Sequence, residues 1–212
     1  MPPRTRHAPR SLPLLLLGLS LAGCGGGGGG PAAPLPPPPP PAEPVVVEVP
    51  AVPELEGTIL GASVVQGASN VSVGDNAFDE TVVAFLAFDL TGLGDVTDAV
   101  LHLEAGNSVG DPFALGDFVL DHVDAGATLD ATDAAGGTLT ADILTFPSAP
   151  SWDLDVAAWV QADLLAGRTT STFRVRLASP TDDDAANDFA RIVASPHALE
   201  GARPRLTVTH VP

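Results

Sequence analysis

The chain has no lysine and no tyrosine, and only one cysteine. Its nine cationic side chains are all arginine. They face 26 acidic ones, a formal charge of −17 over 212 residues. Nucleic-acid binding rests on neutralising phosphates, so a chain this acidic is not expected to bind nucleic acid. One cysteine excludes an internal disulfide framework and a cysteine-built zinc cluster. Glycine and proline are in excess instead, 22 of each, too many for one uniformly packed domain.

Long apolar runs are also missing. The stretch 12–23 (LPLLLLGLSLAG) is apolar over 12 residues, whereas a membrane-spanning helix needs roughly 20. Arg4, Arg6 and Arg10 precede it and small residues end it, the pattern of a secretory signal covering residues 1–23. The run stops at Leu21-Ala22-Gly23-Cys24, which resembles a bacterial lipobox. That resemblance implies a diacylglycerol on the Cys24 thiol, cleavage before it, and acylation of the new amino terminus. Membrane lipid is then a partner through Cys24, and several acyl chains anchor stably where one does not. Gly25 is not the Asp that resembles an inner-membrane retention signal. The expected location is therefore the outer membrane or cell surface rather than the inner membrane. Removing the signal leaves six Arg against 26 acids, a formal charge of −20, with no cationic side chain from Gly25 to Gly167.

Gly25 to Gly30 reads as a flexible hinge, and Pro36 to Pro41 is an unbroken proline run followed by Pro44, Pro50 and Pro53. Proline fixes φ and lacks a donor, so residues 24–54 are expected to be a disordered Gly/Pro-rich linker with extended polyproline stretches. From residue 55 the composition shifts to Val, Leu, Ala, Asp and Thr, and 55–212 is long enough for one core.

Strand signals dominate that domain. Thr81 to Leu90 is apolar at both parities, which predicts a central strand covered on both sides. Asp98 to Glu104 alternates, with Ala99, Leu101 and Leu103 inward. Further strands are expected at Phe118 to Val123, Thr138 to Phe146, Thr172 to Ala178, Phe189 to Ala194 and Arg205 to Val211. Asp155 to Ala166 instead places Val156, Trp159, Val160 and Leu164 at helical spacing, with Asp153 or Asp155 to cap it and Gly167 to stop it. The expected class is all-β: a jelly-roll-like β-sandwich with one short helix closing an end.

Three ordered segments carry a family resemblance. They are FLAFDLTGL with DAVLHLE within Phe85 to Glu104, WDLDVAAWVQADLLAGRTTSTFRVRLAS from Trp152 to Ser179, and SPHALEGARPRLTVTH from Ser195 to His210. Together they resemble the DNRLRE-type domain of secreted bacterial proteins, related to carbohydrate-binding modules of family 96. The resemblance implies a jelly-roll sandwich that binds polysaccharide without catalysis. The expected function is a surface-anchored lipoprotein presenting such a module for polysaccharide or matrix attachment. The alternative is a structural or adhesive module that binds a protein partner and has no glycan site.

The candidate ligand residues are Arg174, Arg176, Arg191 and Arg205, a basic strip able to grip carboxylates, with Trp152 as a sugar platform. The competing reading pairs these arginines with the chain's own acids. Asp182, Asp184 and Asp188 are candidate ligands for a structural calcium, against the alternative of a solvated acidic loop. No histidine pair has metal spacing, and no nucleophile elbow, phosphate loop or dinucleotide fingerprint occurs. Ser195, His197 and Glu200 lie close together in a loop that the family pattern already accounts for. No enzymatic activity is expected.

Overall fold

A strand that is apolar at both parities cannot turn either face to water, and the architecture is built around one such segment. The structure, a computed structural model, describes residues 37–144 and 150–212, with the backbone path alone for 138–144. Cys24, the signal segment and the polyglycine run lie outside the described residues. The folded elements belong to the unit Pro41–Pro212.

That unit is an all-β sandwich of two antiparallel sheets with one α-helix. One sheet runs, in spatial order, β1 (Val45–Val49), β12 (Arg205–Val211), β6 (Asp95–Glu104) and β9 (Ser151–Asp155). The other runs β11 (Asp188–Val193), β4 (Asn70–Asp75), β5 (Thr81–Asp89), β10 (Thr170–Leu177), β7 (Phe118–Val123) and β8 (Thr138–Leu144). A hairpin of β2 (Gly57–Leu60) and β3 (Ser63–Gln66) joins this second sheet. It pairs with β5 along the same edge that β4 uses.

The core lies between the sheets. Val73, Leu86, Phe88, Phe173 and Val175 meet Leu101, Leu103, Leu206 and Val208 there. The opposite parity of β5, Val83 and Phe85, is covered as well, by Ile59, Val123 and Leu129 in a smaller outer cluster. β5 is therefore buried on both faces, as its sequence predicts. Trp152, on β9, is 8% exposed and meets Phe118 edge-on at 5.9 Å.

Two boundaries move. Val45–Val49 pairs in register with His210 to Leu206, and Val49 is buried, so the domain begins at β1 and not at residue 55. The unpaired edge of β12 supplies donors and acceptors that a three-valine run takes up, despite the prolines flanking it. The helix, α1 (Ala157–Leu165), starts two residues later than the expected Asp155, with Val156 and neither Asp153 nor Asp155 at its N-cap. Asp155 still acts at its entry, accepting from the Ala157 amide at 3.0 Å, and Gly167 ends it at φ 74°. α1 packs on β6 and β10, so it touches both sheets. Trp159 stacks on His122 with ring planes 3° apart.

Two charged networks tie these elements. Asp121 on β7 is fully buried and accepts from Arg174 Nε at 2.9 Å and from Arg176 Nε at 2.9 Å, both on the neighbouring β10. Arg174 also donates to the carbonyls of Asp133, Ala134 and Gly136, fastening the segment that covers this face. On the inner side, His122 meets Asp163 of α1 at 2.8 Å, and Arg168 bridges Asp163 and Asp124. The hydrogen bond to Asp124 raises the Arg168 guanidinium above its ordinary value. Removing one partner of a buried ion pair strands the other, at about 3–5 kcal/mol. Asp121→Asn is expected to cost that much in denaturant unfolding. Arg176→Gln, whose side chain is one-third exposed, is expected to cost about 1 kcal/mol or less.

Candidate functional site

The four candidate arginines do not form one strip. Arg174 is 5% exposed and engaged with Asp121, and Arg176 shares the same carboxylate. Cross-strand pairing therefore occupies both, as expected where cations are scarce among acids. Arg205 lies on β12 in the other sheet and donates to the Gly201 carbonyl. It is opposite His102 in register, and is not on a neighbouring strand to Arg191. Trp152 belongs to the core and presents no platform to solvent.

Arg191 differs. It sits on β11, the edge strand of the larger sheet, half-buried and opposite Ser72 of β4. Its guanidinium donates to Asn107 Oδ1 at 3.0 Å and meets no carboxylate among the described residues. Beside it the sheet opens. β2 and β4 both pair with β5 but diverge from one another, and the gap is a cleft of about 390 Å³. Its apolar lining is Leu60, Val65, Val82 and Phe189, and its polar lining includes Thr58, Asn70, Ser72 and Arg191. At the point of divergence the Ser72 amide donates to Thr58 Oγ1 at 2.8 Å, replacing a lost ladder partner. Volume, apolar walls and a few convergent polar groups fit the general profile of a ligand site. Of these residues the sequence singled out Arg191 alone, because no spacing reveals where two strands part.

The acidic candidates also rearrange. Asp184 is exposed and turns its carboxylate onto the Ala186 amide at 2.7 Å, a local Asx turn, and is not one of the three carboxylates that converge. Asp182 and Asp188 do come together, and the third member is Asp75, at the end of β4. One carboxylate oxygen of each lies within 4.8 Å of the other two. Partial desolvation, then the negative charges of Asp184, Asp75 and Asp188, raises the Asp182 carboxyl above its ordinary value. The signal for Asp75 was present: it continues the inward parity of Val71 and Val73, where an acid is out of place. Ser195 turns its hydroxyl to Glu56, also buried, which further accepts from the Ser195 amide at 2.7 Å.

Gly110 closes over this corner at φ 65°, and a Cβ there would collide with the Asp188 carboxylate and the Asn187 carbonyl. Gly110→Ala combines left-handed strain with that overlap. It is expected to lower stability by about 1–3 kcal/mol, read as a lower melting temperature, while Gly67→Ala, also at positive φ but open to solvent, costs less.

No protein-family profile matches the chain, and no curated protein matches it.

Proposed function

We propose that this chain is a lipid-anchored envelope protein of the outer membrane or cell surface whose sandwich binds polysaccharide without catalysis. The observation that carries the reading is the cleft beside Arg191. Sugars present apolar C–H faces and many hydroxyls, and uronic acids add a carboxylate. The cleft offers Phe189 and Leu60 to the first, Thr58, Asn70 and Ser72 to the second, and to the third a guanidinium that meets no carboxylate among the described residues. Arg pairs a planar carboxylate through two parallel N–H bonds. The lipobox-like Cys24 and the Gly/Pro-rich tether support the location. They would hold such a module off a bilayer without restricting its orientation.

The second reading, a structural or adhesive module without a glycan site, is favoured by the outer face of the smaller sheet. Thr207, Thr209, Asp98, Asp153 and Glu48 occupy that face beside Val46 and Val100, a largely polar surface that suits display rather than capture.

The full chain, purified in detergent, is expected to retain an acidic polysaccharide on a glycan array. Arg191→Ala should weaken that retention roughly 10- to 100-fold, the value of one charged hydrogen-bonded contact. Arg176→Ala should leave it unchanged. An array with no bound glycan favours the structural module. For the anchor, Cys24→Ala is expected to move the protein from the membrane fraction to the soluble one, and a variant that stays with the membrane rejects lipidation at this residue.

A further inference from the structure

Asp75 and Asp188 are directly opposite one another across the β4–β11 ladder, at the end of the sheet where the sandwich closes. Like charges in that relation destabilise a sheet even on a wet surface. Here both are buried, at 1% and 3% exposure. Each has one oxygen with a weak or single donor: Asp75 Oδ2 faces the Asp182 amide at 3.4 Å, and Asp188 Oδ1 accepts from the Asp111 amide. The other oxygen of each, Asp75 Oδ1 and Asp188 Oδ2, is buried and meets no donor among the described residues. Among the described residues no Arg or His bridges either group or Asp182. A buried carboxylate without counter-charge and with one oxygen lacking any donor is costly to hold.

The geometry points to a divalent cation, calcium, held by Asp75, Asp182 and Asp188. All the available donors are oxygens, which selects a hard cation. Two oxygens on opposite sides of a calcium ion lie roughly 4.6–5.2 Å apart, from Ca–O distances of about 2.3–2.6 Å. One oxygen from each of the three carboxylates lies within 4.8 Å of the other two, close enough to share one such ion. Magnesium demands closer, near-octahedral donors and holds its water. The site does not resemble an EF-hand, because Asp75 on β4 lies more than a hundred residues before Asp182 and Asp188.

The local structure is organised for such an ion. The turn after β4 is laced to the loop before β11 on both sides: Asn187 Oδ1 accepts from the Ala77 amide at 3.2 Å, and Asp79 Oδ1 accepts from the Ala185 amide at 3.1 Å. Asp79, Asp183 and Ala185 hold positive φ, a strained set for residues other than glycine. A cation on Asp75, Asp182 and Asp188 ties the same two segments together at their base and offsets that strain.

The test is a thermal melt of the full chain in detergent, first stripped with chelator and then titrated with calcium. A saturating excess, about a hundredfold over Kd, should raise the melting temperature by roughly 5–10 °C. Terbium, excited directly, should luminesce when bound and be displaced by calcium. Asp75→Asn should abolish both responses. In chelator it should melt no lower than the parent, because it removes a buried like charge, whereas in calcium it should melt lower. Should Asp75→Asn fail to fold, Asp182→Asn, at an exposed position, carries the same comparison. No shift with calcium, or a shift that survives in the Asp75 and Asp182 variants, overturns the site. Because the readouts are melting and terbium emission, a failed glycan array leaves the result intact.

Discussion

Five carboxylates are buried among the described residues: Glu56, Asp75, Asp121, Asp163 and Asp188. Each had to leave water, and an ionised group does so only against a counter-charge or several hydrogen bonds. The domain has only six arginines with which to do this, all within its last third. Their placement follows from that shortage. Arg174 and Arg176 converge on Asp121, and Arg168, with His122, holds Asp163. Ser195 supplies two donors to Glu56 without any cation. The sheet pairing of β7 with β10 and the seating of α1 both rest on these contacts. Asp75 and Asp188 are the two that meet no counter-charge among the described residues and keep one oxygen without a donor, and the inferred calcium completes the set.

The same scarcity divides the arginines by role. A cation already joined to a buried acid cannot be turned toward a ligand without stranding that acid. Arg174 and Arg176 are therefore fixed as framework, and Arg203 pairs loosely with Glu200 on the surface. Among the described residues the guanidinium of Arg191, at the sheet edge and beside an opening in the sheet, meets the Asn107 amide oxygen and no carboxylate. An amide orients the guanidinium without neutralising it, so its charge stays available in a molecule whose overall field is strongly negative. That field disfavours the approach of a long polyanion. The proposed ligand is accordingly gripped at a single carboxylate within a mostly apolar cleft, and not along an extended basic track.

Strands whose two faces differ, or which are apolar throughout, were legible in the sequence. Phe118–Val123 and Arg205–Val211 fall at the expected residues, and β5 and β6 differ only at their ends. β10 and β11 shift by one or two residues from their expected bounds, and β8 begins at the expected Thr138. β1, β3 and β9 were hidden, for physical reasons. β3 is largely exposed, so no apolar parity marks it. β9 carries only Trp152 as a buried side chain, and reads as a helix entry. β1 is flanked by prolines and looks like tether until the free edge of β12 is known. In each case the strand exists because a partner edge exists, which is information held elsewhere in the chain. The candidate sites follow the same rule. Asp182 and Asp188 are visible as a local acidic run, but Asp75 joins them only through register. The cleft arises where β2 and β4 separate, at residues with no unusual composition.

The cleft and the acidic corner are built on the same pair of strands. β4 contributes Asn70 and Ser72 to the cleft and Asp75 to the corner; β11 contributes Phe189 and Arg191 to the one and Asp188 to the other. The two strands pair over six residues, and β4 reaches β5 through only Gly74 and Asp75. This edge pair is thus fastened to the larger sheet at the corner itself. Gly74 has no side chain there because a Cβ would collide with the Asp188 backbone, so the chains approach more closely than ordinary pairing allows. Two uncompensated charges at that fastening would drive the edge pair away from β5 and widen the cleft. A cation between them does the opposite. The position of Arg191 relative to the cleft floor is therefore set at the far end of its own strand, by the charge balance of Asp75 and Asp188.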